Sequence, residues 1–490
     1  MIIAFILLGE YRGECIREDA DTIPWIRYAK VTIKDTLPPT VDLSSFMPPV
    51  GDQSSQGSCT AWATGYYAKS FYEWKEHRWD LKDPEHQFSP AFIYNQINGG
   101  VDKGSRFSDA FKVLNVMGCA SMTDFPYNPY NYTNWPSENV YRKAIPYRCE
   151  GISKINTLRN EGIKMMKQML ADTNVLVMGI EVWDNFYSIS SYGNVYCVAD
   201  KTGAPRAGHA VTIVGYDDNK VTKDGKGAFK LVNSWGPGWG DNGYFWMSYE
   251  AVKDPTMCHG WAYKIIDKID YTPELLVKVK IEHPARELVQ MNLGVEKEGN
   301  ACWKSFVYMW SYQYAKEITP HPFPNDYMVF DMTDAVEHMN KDTVHVEFIT
   351  CKDIKEDGNK GKLLFFSCEY LPNNEISISS DTPLDIPDPG SATAYTKILI
   401  PLGIKEVLPE ETIKVNIIRK EKIKFTIKSS SGKIHFSIYD AQGRRIKGFT
   451  THSKKREIEF IWKPKHNPRG IYFYILQTKK AIRHGKLIIF

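Results

Sequence analysis

The chain has 490 residues, 43% of them hydrophobic and 24% charged, which excludes a fibrous or wholly disordered protein and calls for two to four domains. Its net charge of +3 hides an asymmetry, because residues 411–490 hold 20 Lys+Arg against 5 Asp+Glu, about +15, and the first 410 sit near −12. The basic end suits an anionic partner such as an envelope surface, or is a solvated face, and without interleaved aromatic and basic residues nucleic acid is not expected.

From the N-terminus, the apolar run MIIAFILLG precedes Glu10, Arg12 and Glu14. Residues 1–15 therefore look like the end of a secretory signal peptide without its basic start, the alternative being a buried strand. Cys15 is a poor lipid-anchor candidate, since Arg12-Gly13-Glu14 rather than small residues precede it. Residues 16–37 form an arm that leads to Leu37-Pro38-Pro39. Apolar residues at Trp62, Tyr66, Phe71 and Trp74 predict a helix over 59–76 with Ser58 as its N-cap. A second helix is expected over 108–117, stopped by Gly118. From 177 to 250 short apolar runs between glycine-rich turns predict strands. Beyond Pro273 helices almost vanish: Val277, Val279 and Ile281 alternate, as do Ile434, Phe436 and Ile438. Pro and Gly clusters at 384–392 and 401–409 predict linkers or long loops. The nine cysteines, an odd number, form no C-x-x-C pair, so neither a zinc site nor a redox motif is expected, and no metal or cofactor.

Cysteine hydrolysis needs a thiolate, a base, a group that orients the base, and donors for the oxyanion. Cys59 falls at the expected start of a helix, where the dipole and free N–H groups favour negative charge. Position alone fits a structural cysteine better. His209 begins the strand-like run His-Ala-Val-Thr-Ile-Val-Gly-Tyr, and Phe229–Asn233 forms a second run beyond a polar turn at 217–228. In an antiparallel hairpin, paired positions have a constant sum. A midpoint at 221 sets His209 beside Asn233 to within about one residue of register. Asn233 can then hold one imidazole nitrogen and leave the other to face a thiol.

Around these residues the motifs are longer. Val50-Gly-Asp-Gln53-Ser-Ser-Gln56-Gly57-Ser58-Cys59-Thr60-Ala-Trp62, Gly208-His209-Ala210-Val211 and Asn233-Ser234-Trp235-Gly236-Pro-Gly238-Trp239-Gly240 resemble, in order, the nucleophile, histidine and asparagine segments of papain-like cysteine peptidases. The resemblance implies a two-lobed α+β peptidase domain over 38–268. In it Cys59 is the nucleophile, His209 the general acid/base, Asn233 its orienting partner, and Gln53 the side-chain oxyanion donor. Gln56 is the competing glutamine, in the position of a disulfide cysteine in plant and lysosomal members. Gln56, and Thr60 in place of the usual Trp, point to bacterial-type members. Trp235 is expected to shield the His–Asn contact. Gly104, Ser105 and Phe107, with Ala207 and Gly208, stand where this family binds substrate, with Arg106 beside them and Val177-Met178-Gly179-Ile180 as a further wall. The long helical prosegment of lysosomal relatives has no counterpart here, so latency is expected from the downstream domains or from the 16–37 arm.

Residues 271–400 are loosely similar to the β-jelly-roll that follows many secreted subtilisin-type peptidases. Asp331 and Asp334 there fit a strand-end turn better than a calcium site. Residues 410–490, with Phe436-Ser-Ile438-Tyr-Asp440-Ala-Gln-Gly443-Arg444, Arg469-Gly470-Ile-Tyr-Phe-Tyr474 and Gly485–Phe490, resemble the Ig-like secretion tail of the bacterial type IX system, a plain spacer being the alternative. The resulting expectation is a papain-like domain followed by two β-sandwich domains, in a monomeric cysteine peptidase that is extracellular or on a bacterial surface. Its partners would be protein or peptide substrates, and secretion machinery or an anionic envelope at the C-terminal domain. The competing expectation is a catalytically silent adhesion or carbohydrate-binding protein that uses the peptidase fold as scaffold.

Overall fold

The computed structural model describes residues 14–297, 300–306, 320–339 and 343–400, and, within 413–489, the seven strands given below. The apolar run at 1–9, the Pro/Gly cluster at 401–409, the Ala441–Gly443 turn and Phe490 lie outside the described residues. The chain divides into two compact units, Met1–Ile400 and Pro401–Phe490.

The first unit begins with a helical lobe. Its central helix starts at Cys59, is wound as a π-helix over Trp62–Lys69 and continues as α-helix to His77. The predicted N-cap is not made: Ser58 forms no side-chain capping bond, and its hydroxyl lies 2.9 Å from that of Tyr127. The π-segment is buried all round, and such widened turns recur at functional sites. Lys69 ends it with no exposure, its ammonium on Glu73 at 2.5 Å and on Asp267 from a distant strand. The second predicted helix runs Phe107–Val116, one residue earlier than its apolar spacing suggested.

Opposite this lobe lies a nine-stranded sheet. Its order is Arg27–Tyr28, Cys149–Asn156, Cys258–Asp267, Leu176–Val182, Ala207–Thr222, Gly225–Val232, Tyr244–Ser248 and Val195–Tyr196, with Thr40–Asp42 added on Ala207–Thr222. The expected 217–228 turn is a correction: the strand continues to Thr222, and the chain reverses at Lys223-Asp224. Bulges at Ile213/Gly215 and Asp217/Val221 allow the strand to run on.

The same unit continues into a sandwich of two antiparallel sheets. One joins Met328–Asp331, Leu275–Glu282, Gly361–Tyr370 and Glu375–Ile378, with Leu384–Ile386 on Gly361–Tyr370. The other joins Asn300–Phe306, Val289–Lys297, Thr343–Asp353 and Gly390–Ile400. Val277, Val279 and Ile281 are buried as their alternation requires. The 384–392 segment is not a linker but a short turn between two strands of the sandwich, its prolines standing where no ladder hydrogen bond is needed.

Asp331 and Asp334 pair with cations of the preceding domain: Arg148 reaches Asp331 at 2.7 Å and Asp334 at 2.6 Å, and Lys268 reaches Asp334 at 2.7 Å. Burial would raise the Asp334 carboxyl, but Arg148 and Lys268 hold it below its usual range. Arg142 meets Glu369 at 2.8 Å, and Arg286 donates to the Thr133 carbonyl at 2.6 Å. The sandwich therefore docks on the preceding domain through charged pairs, of which Arg148–Asp331 is removed from water while Asp334 and Arg142 stay partly exposed.

In the second unit, Ile413–Ile417, Ile423–Lys428 and Glu457–Trp462 form one sheet, and Arg445–Ser453, Gly432–Asp440, Gly470–Gln477 and Ile482–Ile489 another. Phe425, Phe436, Ile438, Trp462 and Tyr472 make its small core.

Candidate active site

The strand Ala207–Thr222 carries His209 on its buried face. Extending the observed pairing Thr212↔Val232 puts His209 opposite Trp235, two residues from the position that the hairpin arithmetic gave. Residues offset by two on neighbouring strands are diagonal neighbours on one face, so the side chains still meet. His209 Nε2 lies 2.7 Å from Asn233 Oδ1. That oxygen also accepts from the Ser234 N–H at 2.8 Å, which fixes the amide with its oxygen towards the imidazole and so makes Nε2 the protonated nitrogen. Asn233 is held through its own backbone: its N–H donates to Gly243 O at 2.9 Å, and its carbonyl accepts from Tyr67 OH at 2.8 Å. His209 Nδ1, fully buried, has no hydrogen-bond partner.

Trp235 is buried over this pair, with ring centroids 4.9 Å from His209 and 5.4 Å from Tyr187, and Phe186 and Trp239 close the cluster. A dry aromatic cover strengthens the His–Asn hydrogen bond, because water cannot compete for it.

Cys59 opens the central helix and is fully buried. Burial raises its thiol above the ordinary value, while backbone N–H groups at Glu14 and Ala210 pull it the other way. Burial also lowers His209 to about 4, against the bond to Asn233 that raises it, and His259 nearby adds to the lowering. Both groups are thus neutral in this state. Gln53 is clamped: its Oε1 accepts from Ser234 Oγ at 2.6 Å, its Nε2 donates to Gln56 O at 2.8 Å, and its N–H donates to Ser234 O at 2.8 Å. Gln56 turns away, with its Nε2 on the carbonyls of Asn128 and Pro129.

The N-terminal arm lies against Cys59, with the Glu14 backbone beside the thiol. Cys15 N–H donates to Gly208 O at 2.8 Å, Ile16 N–H donates to Ser105 O at 3.0 Å, and Ser105 N–H donates to Glu14 O at 3.2 Å. Cys15 thereby pairs with Ser105 as a parallel bridge. The approach is so close that side chains at two glycines are forbidden: a Cβ on Gly104, where φ is +84°, would stand 1.8 Å from Glu14 O, and one on Gly208 2.1 Å from Cys15 O. Further along, Glu18 accepts from Ser108 N–H and Oγ at 2.8 and 2.6 Å, Arg17 donates to Pro255 O at 3.1 Å, and Lys154 binds Ala20 O and Asp21. Gly208 is met by Cys15 and Ser105 by Glu14 and Ile16, so the contact begins two residues ahead of the expected 16–37 arm, within the segment read as a signal remnant.

Two expected subsite walls lie elsewhere. Phe107 begins a helix and is buried against Phe111 and Tyr263, at 5.7 and 5.2 Å between ring centroids, so it belongs to the core. Val177, Met178 and Ile180 are buried within the sheet, and Gly179 faces the ring of His259. Ala207 stays half-buried at the strand start. Sequence reasoning missed Glu14 and Cys15 as cleft residues, and the His259–Glu181 pair, 3.2 Å apart, beneath Gly208. The glycines at 104 and 208, each beside a motif, were the available signal that a backbone passes close by.

Residues 37–261 match the family described as papain family cysteine protease. An uncharacterized peptidase C1-like protein of Acanthamoeba polyphaga mimivirus is 30% identical over 42% of this chain and 66% of its own length, just under two thirds. Cathepsin B-like CP2 of Giardia intestinalis is 27% identical over 44% of this chain and 70% of its own length. Among solved structures, xylellain, a cysteine protease from Xylella fastidiosa, is 28% identical over 52% of this chain and 95% of its own, with a TM-score of 0.43.

Proposed function

Since residues 37–261 belong to the papain family of cysteine proteases, we propose that this chain hydrolyses peptide bonds with Cys59 as nucleophile, His209 as general acid/base and Asn233 as its orienting partner. The observation that carries the reading is the 2.7 Å contact of His209 Nε2 with Asn233 Oδ1, together with an unpartnered, buried Nδ1. With Nε2 held as donor, Nδ1 is the nitrogen left to take the Cys59 proton. The thiolate then attacks the scissile carbonyl. The oxyanion is met by the Cys59 backbone N–H and the Gln53 amide, whose orientation Ser234 fixes. His209 returns the proton to the leaving amine, and water releases the acyl group from Cys59 by the same route.

Gly104, Ser105 and Gly208 would hold an extended substrate by its backbone, as they hold the arm. The arm and substrate compete for one set of donors and acceptors, so the described state is latent. Its neutral thiol and neutral imidazole agree with that. Removal of the arm readmits water and favours the thiolate–imidazolium pair.

An epoxide that alkylates papain-like thiols tests the assignment. Stoichiometric label on Cys59 in folded protein, and no cleavage of casein by Cys59→Ala, are expected. A Cys59 that resists label even after the arm has been trimmed overturns the nucleophile. A location outside the cell, with the C-terminal sandwich as an export or anchoring module, is supported by the basic excess of residues 411–490. Mass spectrometry of the mature termini of exported protein tests it, and a chain found only inside cells refutes it.

A further inference from the structure

The arm brings a second thiol to the nucleophile. Cys15 is buried and fixed on both sides, by its own N–H on Gly208 O and by the Glu14 and Ile16 bonds to Ser105. The two cysteines are related reciprocally. The Cys59 sulfur is within hydrogen-bonding reach of the backbone N–H of Glu14, the residue before Cys15. The Cys15 sulfur is within reach of the hydroxyl of Thr60, the residue after Cys59, and its electrostatic neighbours include Cys59 itself. Thr60 also donates to Ser105 O at 3.3 Å, the carbonyl that receives Ile16 N–H. A small residue after the nucleophile thus leaves room for the Cys15 side chain and ties the helix start to the arm's docking point. Both thiols are unbonded in the described state.

We propose that Cys15 and Cys59 are a redox pair, and that a low-molecular-weight disulfide closes a Cys15–Cys59 bond which locks the arm over the active site. The chemistry is thiol–disulfide exchange. With the arm lifted, the Cys59 thiolate attacks the small disulfide, forming a mixed disulfide and releasing one small thiolate. The returning arm delivers Cys15, whose thiolate attacks the Cys59 sulfur, and the second small thiolate leaves. Two cysteine thiols lose two electrons and two protons, and one small disulfide becomes two small thiols. Excess dithiol reverses the sequence and frees the nucleophile. Loop closure by the bond removes arm-lifted conformations, so the oxidised chain is held closed more firmly than hydrogen bonds alone hold it.

The inference rests on Cys59 being the nucleophile, and one experiment separates the two claims. The full chain is incubated with glutathione disulfide, its free thiols are blocked, and it is mapped by non-reducing peptide mass spectrometry. Epoxide labelling is followed before oxidation and after dithiothreitol. The expected product is a Cys15–Cys59 cross-linked peptide, with labelling of Cys59 slowed roughly tenfold or more and restored by the reductant. In Cys15→Ser, the same treatment should stop at a Cys59–glutathione adduct. A wild-type map in which Cys59 carries glutathione while Cys15 remains blocked as a free thiol overturns the pair. Failure of the reduced, arm-trimmed protein to label at Cys59 instead overturns the proposed function, whatever the map shows.

Discussion

Asn233 is the residue on which the rest of the site depends, since one carboxamide oxygen sets the tautomer and direction of His209. Asn233→Ala should lower kcat/KM by about 10²-fold through misorientation of the imidazole, with KM little changed, and steady-state kinetics checks the split. The histidine itself provides a second measurement. Its folded value near 4 lies below the unfolded 6.5, so the unfolded chain takes up the proton first. Stability from this group is therefore whole above about pH 6.5 and declines as pH falls towards 4. The His209 ring resonances should titrate near pH 4 in the arm-bound chain and shift upwards once the arm is removed and the thiolate pairs with the imidazolium, as NMR would show. The meeting of His209 with Asn233 was legible in the sequence because both sit in dense local motifs. Phe107 was not, since an aromatic beside a substrate segment reads the same whether it faces the cleft or, as here, Phe111 and Tyr263.

At the scale of elements, the hairpin that carries His209 shows how an inexact register can still give the right neighbours. The two strands are longer than their apolar runs, and two bulges shift the pairing. The error of two keeps every side chain on its face, whereas an error of one would have sent His209 to the other side. The central helix shows the opposite case. Its apolar spacing marked a helix, but neither the π-turns over Trp62–Lys69 nor the charge cluster at their end follows from that spacing, because Glu73 and Asp267 come from different elements. Burial costs all three charges their hydration, and only the mutual pairing offsets it. Lys69→Met should leave Asp267 and Glu73 buried without their shared ammonium and destabilise the chain by about 3–5 kcal/mol, read by denaturant unfolding.

At the scale of the whole molecule, the peptidase domain and the first sandwich are one compact unit rather than beads on a string. Their separate strand and helix patterns were legible, but the ion pairs that join them were not, since Arg148 and Asp331 carry no local signature of each other. Arg148→Ala should strand Asp331 inside the interface, lower the melting temperature, and open the junction near Tyr271 to protease before the peptidase core unfolds. The sequence marked 16–37 as an arm but not where its start docks, because the partners at Ser105 and Gly208 are distant in the chain.

The arm has a further consequence once it is treated as a ligand joined to its own receptor. A tethered ligand acts at an effective concentration on the order of millimolar, and dilution of the protein does not weaken it. Only the fraction of molecules with the cleft vacant can accept a peptide, so the apparent KM equals the intrinsic value divided by that fraction. Diluting or concentrating the enzyme would leave this handicap unchanged, and cutting the chain anywhere between Ile16 and the first sheet strand would abolish it. On the proposed reading the three backbone hydrogen bonds at Glu14, Cys15 and Ile16 set substrate sensitivity: loosening any one of them should lower the apparent KM without altering the chemistry at the sulfur.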